Sequence, residues 1–150
     1  MVYHYVMDTE TIRLTTQMLI ADEGLSLLPY EDTAGFLTIG YGHNLDAKGI
    51  TGDIALKLLE WDISECLDDL RGIGYWNDLS SCRQSVLINL RFNLGWDGFK
   101  NFKRMHEALV AQDYDAAADE IIDSEAYRTN SGLERRYGDL AKMMRTDVAL

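Results

Sequence analysis

Residues 27–45 interrupt a sequence otherwise patterned for helix. They are rich in Gly, Thr, Tyr and Phe, with turn chemistry at Asp32 to Gly35 and at Gly40 to Asn44. This composition predicts a small antiparallel sheet. On either side the apolar spacing is helical. Asp8 or Thr9 can cap a first helix over 8–23, with Ile12, Met18 and Leu19 on one face. Thr51 opens a long helix to about Arg71, with Leu56, Leu59, Ile63, Cys66, Leu67 and Leu70 along one stripe, and Gly72-Ile73-Gly74 stops it. Leu79 to Leu94 is apolar over most of its circumference (Val86, Leu87, Ile88, Leu90, Phe92) and reads as a central buried helix. Further helices are predicted at about 99–111, 114–124 and 133–145. The expected fold class is α+β, mostly helical. One domain is expected over 1–150: a sheet lobe at about 24–50, a connecting helix at about 51–71, and a helical lobe at about 72–150 with the N-terminal helix. A cleft is expected between the lobes, where polymeric ligands bind.

The chemistry is concentrated at the sheet. Residues 23–43 read E-G-x5-Y-x-D-x5-T-x-G-x-G-H, from Glu23 to His43. On average residue usage these eight fixed positions match by chance about once in 10^9 to 10^10 windows. Glu23 closes the first helix and precedes Gly24, which suits a helix C-cap. An acidic pair, Asp22-Glu23, at the negative end of a helix dipole does not serve helix stability. A carboxyl there, partly desolvated, has its charged form disfavoured, as a general acid requires. Asp32 lies in a turn and can stay ionised, so the two carboxyls suit an acid and its partner. The plainer alternatives are a solvated helix end for Glu23 and an Asx turn for Asp32. For Thr38 the alternative is an ordinary β-branched strand residue.

This pattern resembles the front end of phage-type lysozymes, glycoside hydrolase family 24, and a lysozyme-like fold follows from the likeness. Leu87 to Gly95 is similar to the family's central helix, and Tyr114 to Ala118 and Gly132 to Arg136 are similar to it less specifically. The resemblance implies that Glu23 is the general acid and that Asp32 and Thr38 hold the attacking water. Inversion at the anomeric carbon would follow, with the carboxyls roughly 6.5–9.5 Å apart. It implies a supporting pair between His43 and Asp62, and an arginine, Arg136 or else Arg135, reaching Glu23. That cation would lower the acid's pKa while burial would raise it, leaving the net direction open. Gly42, Asn44, Phe92, Asn93 and Phe102 are the implied substrate contacts, with Trp96 a further candidate. Gly40 and Gly42 equally suit a hairpin, and Phe92 and Phe102 equally suit the core. The substrate implied is the β-1,4-linked glycan strand of peptidoglycan, with no cofactor and no metal.

Charge qualifies this expectation. The chain carries a net −11, and bacterial wall is anionic. Residues 1–72 hold 13 acids against 4 bases, while 73–150 hold 12 against 10. Local basic stretches therefore exist at Arg83 to Arg104 and Arg128 to Arg145, or these are solvated helix faces. The overall sign disfavours nucleic acid. No run of 18 apolar residues occurs, so no membrane insertion is expected. The start MVYHYVMDTE lacks a signal-peptide pattern. The two cysteines, Cys66 and Cys82, read as buried reduced thiols. A monomer held in the host cytoplasm and released to the periplasm is expected, lysing the cell. The contrasting expectation is a catalytically weak or silent lysozyme-like wall-binding or assembly module.

Overall fold

The computed structural model describes residues 9–150. The chain divides into two compact units, the first ending at Ala55 and the second running Leu56–Leu150. Asp8, a predicted helix cap, lies outside the described residues.

The first unit begins with helix α1, Thr9–Glu23. Gly24 follows with φ +69°, a left-handed conformation that ends the helix. A three-stranded antiparallel meander comes next: β1 Ser26–Glu31, β2 Leu37–Gly40 and β3 His43–Asn44. Thr38 is at its centre, paired with Tyr30 on one side and Asn44 on the other. A short helix α2, Leu45–Lys48, was not anticipated; Asn44 caps it by accepting from the Ala47 N–H. The α1 face expected to be apolar and packed is exposed: Ile12, Met18 and Leu19 keep 39%, 64% and 49% of their surface. Among the described residues, Thr38 is the one buried residue of this unit. Its tertiary order therefore rests on backbone pairing and side-chain caps rather than on an apolar interior.

The second unit holds the core. Helix α3, Gly52–Leu70, whose first turn still belongs to the first unit, has the expected extent, but its stripe is buried only at its C-terminal end, at Cys66 and Leu70. Leu56 and Leu59 are exposed. A single 3-10 turn, Trp76–Asp78, leads to helix α4, Ser81–Lys100, capped by the Ser80 hydroxyl accepting from the Arg83 N–H. Val86, Leu87 and Leu90 are fully buried along one stripe of α4, whereas Phe92 is 43% exposed. The helix is thus amphipathic rather than apolar all round. Gly95, at φ +70° and ψ 170°, kinks it two residues after Asn93. Then come α5 Lys103–Val110, α6 Tyr114–Ile122, a short unanticipated α7 Glu125–Thr129, and α8 Glu134–Thr146. Met105, Leu109, Ile121, Tyr137 and Met144 join the buried α4 residues, Phe99 among them, in one continuous cluster. Arg83 ties the ends of α4 and α8 together. Its Nε donates to the Met144 carbonyl at 2.9 Å, its Nη1 reaches Asp147, and its guanidinium lies 3.6 Å from the Tyr114 ring centre.

Cys66 is buried, Cys82 is half-buried, and both are free thiols. Burial pushes each thiol above its ordinary pKa. Among the described residues no helix is long and apolar enough to cross a membrane.

Candidate active site

The first unit brings the two ends of the 23–43 motif together. Glu23 is the last residue of α1, and Gly42 follows β2 in the turn to β3. A Cβ built on Gly42 would lie 2.8 Å from Glu23 Oε2 and 3.1 Å from its carboxyl carbon. Gly42 also has φ +70°, a conformation costly for any residue with a side chain. Glycine is required here twice over: for the turn, and to let the carboxylate lie against the backbone. The partial desolvation expected at Glu23 is not found; its side chain is exposed.

Asp32 and Thr38 meet through one peptide, that of Phe36. Asp32 Oδ1 accepts from the Phe36 N–H and the Ala34 N–H, both at 2.9 Å. Thr38 Oγ1 donates to the Phe36 carbonyl at 3.0 Å. That carbonyl also accepts from the Asp32 N–H at 2.9 Å. The Asx turn weighed as the plainer reading of Asp32 is therefore formed. It uses one carboxylate oxygen and fixes the group, leaving Oδ2 without a protein partner among the described residues. Thr38 is 3% exposed. Its hydroxyl proton is engaged, and its lone pairs remain to accept a hydrogen bond from water.

The neighbouring polar residues make hydrogen bonds within this unit. Asn44 Oδ1 caps α2. Asp46 Oδ2 accepts from the Leu37 N–H at 2.7 Å and ties α2 to β2, a contact no sequence signal announced. His43 Nε2 lies 2.6 Å from the Gly49 carbonyl, so that nitrogen carries the proton. Asp62, its expected partner, stands exposed on α3 in the second unit.

The remaining candidates belong to the second unit, and three of them, Phe102, Phe92 and Arg136, line two separate cavities. Phe102 lines one of about 660 Å³ with Leu94, Lys103, Arg104, Glu120 and Glu125. Phe92 lines another of about 370 Å³ with Leu59, Ile63, Ile88, Asn89 and Arg136. Arg136, expected to reach the acid, donates from Nε to Asn89 Oδ1 at 2.7 Å and from Nη2 to the Asn89 carbonyl at 3.3 Å. Asn93 Oδ1 accepts from the Tyr137 hydroxyl at 2.9 Å. Trp96 is half-buried, stacked on Phe99 at 6.0 Å between ring centres. Sequence reasoning missed Tyr137 and Asp69, which pairs with Arg91; their partners lie 44 and 22 residues away.

The family model of phage lysozyme matches residues 21–138, which include every candidate from Glu23 to Arg136. The chain belongs to the phage lysozyme family. As expected from the sequence, this phage lysozyme family member is an α+β protein, mostly helical, with a small three-stranded antiparallel sheet. It is also similar to the pre-baseplate central spike protein Gp5 of Enterobacteria phage T4, at 29% identity over 149 aligned residues. That alignment covers 80% of this chain and 26% of the spike protein, so the match spans about a quarter of that relative's length. Among the described residues of this phage lysozyme family member, no group of three or more His, Cys, Asp or Glu side chains could hold a metal ion.

Proposed function

We propose that the chain is a muramidase that hydrolyses the β-1,4 bond between N-acetylmuramic acid and N-acetylglucosamine in peptidoglycan. Glu23 protonates the leaving oxygen. Asp32, through its free Oδ2, and Thr38, through its hydroxyl lone pairs, orient the attacking water, and the product anomer is inverted. Gly42, Asn44, Phe92, Asn93 and Phe102 contact the glycan, and His43, Asp62 and Arg136 support the site. The reading extends to lysis of the host from the periplasmic side of its membrane. One observation carries it: the Glu23 carboxylate lies against Gly42 in the same unit that pins Asp32 and Thr38 on Phe36. A water-oriented mechanism predicts that the first product seen by NMR, before mutarotation, is the inverted anomer. The retained anomer would instead make a carboxylate the covalent nucleophile.

The contact at Gly42 gives a sharper test. Gly42→Ala and Gly40→Ala impose similar strain, since φ is +70° and +68°. Only the first meets Glu23; around Gly40 the space is open. The exposed Glu23 side chain can swing aside at little cost in stability, but a displacement of about 1 Å costs on the order of 10^2-fold in rate. Glycan cleavage should therefore fall about 100-fold in Gly42→Ala and stay within a few-fold of wild type in Gly40→Ala. Equal losses in both would show that backbone strain, not the position of the acid, is what matters.

A second reading is favoured by the likeness to the spike protein. In it the chain is a lysozyme-like module for wall binding or assembly, with little catalysis. Muropeptide release from purified peptidoglycan separates the two: bound wall with no soluble fragments supports the module.

A further inference from the structure

Two asparagines of α4 are gripped from α8 by neighbouring residues. Asn89 and Asn93 stand at i and i+4, on one face of the helix. Arg136 donates to the side-chain oxygen of the first and Tyr137 to that of the second. Tyr137 is fully buried, and burial pushes its phenol above the ordinary range, so it stays a neutral donor. A buried phenol needs an acceptor, and Asn93 Oδ1 is the one it has. The amide is planar, so an oxygen taken on the buried side turns Nδ2 away from the ring. Asn93 is exposed, and no described residue accepts from that Nδ2. An unrestrained asparagine can present either its oxygen or its nitrogen to a ligand; this one is left with a group that only donates. Beside it in sequence, Phe92 offers a partly exposed ring.

We propose that Tyr137 is a positioning residue whose buried hydroxyl locks the Asn93 amide, so that Nδ2 donates to an acetamido carbonyl oxygen of the glycan. The proposal rests on the glycan-binding reading above. The complementarity is chemical. An acetamido carbonyl only accepts, and its methyl group suits an adjacent aromatic face.

The test uses the full chain carrying Glu23→Gln, so that the probe is not cut, and the N-acetylglucosamine tetramer as ligand, titrated by NMR. In this parent the Asn93 side-chain amide signals should shift on binding. Tyr137→Phe should abolish that shift and weaken binding about five- to tenfold, the worth of one neutral hydrogen bond. Asn93→Asp keeps an acceptor for Tyr137 but loses the donor, and should weaken binding as much. The double variant should bind no worse than either single one. Parent-like affinity in either single variant, or losses that add, would overturn the role of Tyr137. Where Tyr137→Phe does not fold, Asn93→Asp decides, because it leaves the tyrosine bonded. A parent that does not bind the tetramer removes the glycan reading and this inference together; a binding parent with unaffected variants removes the inference alone.

Discussion

Glu23→Gln is expected to leave the protein folded and to lower peptidoglycan cleavage by about 10^2 to 10^4, the usual contribution of a general acid. The amide keeps the size and the exposed position of the side chain at the end of α1. It cannot deliver the proton that the departing sugar oxygen requires. Because Glu23 makes no buried contact, thermal stability should change little, as for surface substitutions generally. Release of soluble muropeptides from purified wall, followed beside a thermal melt, is the measurement. Activity within a few-fold of wild type would remove Glu23 from the mechanism. The module reading would then stand if the wild type also released nothing while still binding wall.

The largest effect on stability is expected at Phe99. This residue is fully buried, stacks on Trp96, and meets the His106 ring edge-on at 4.9 Å between centres. Its carbonyl also receives the His106 Nε2 proton at 3.0 Å, which leaves Nδ1 to accept from the buried Tyr75 hydroxyl. Phe99→Ala removes the ring that these groups pack on and leaves a cavity among rigid helices. The loss should be about 3–5 kcal/mol, read from denaturant unfolding. Phe36→Ala deletes a ring of the same size from the first unit, where it is 48% exposed, and should cost no more than about 0.5 kcal/mol. Comparable losses at the two positions would mean that the apolar interior does not govern the stability of the second unit.

Local features were legible without coordinates. Periodicity placed the long helix, observed at Gly52–Leu70, and the helices at Tyr114–Ile122 and Glu134–Thr146 within a few residues. Turn chemistry placed the sheet, and the motif spacing pointed to the family whose model covers residues 21–138. These depend on interactions within a turn or two of chain, so residue order alone encodes them. Short α7 was missed because five residues carry too little periodic signal.

The environment of each side chain was decided by the tertiary structure. Apolar character could not say that Phe92 is exposed while Phe99, seven residues on, is buried; the Gly95 kink and the packing of later helices sort them. Nor could spacing say that Gly42 abuts Glu23, 19 positions earlier, or that Tyr137 takes the oxygen of Asn93. What the sequence alone determined is the longer elements, the family and the residues able to do acid–base chemistry, because propensity, capping and motif spacing act locally along the chain. Which of those residues are pinned, exposed or left with a free donor was decided only by the fold, because hydrogen-bond partners and burial come from segments distant in sequence.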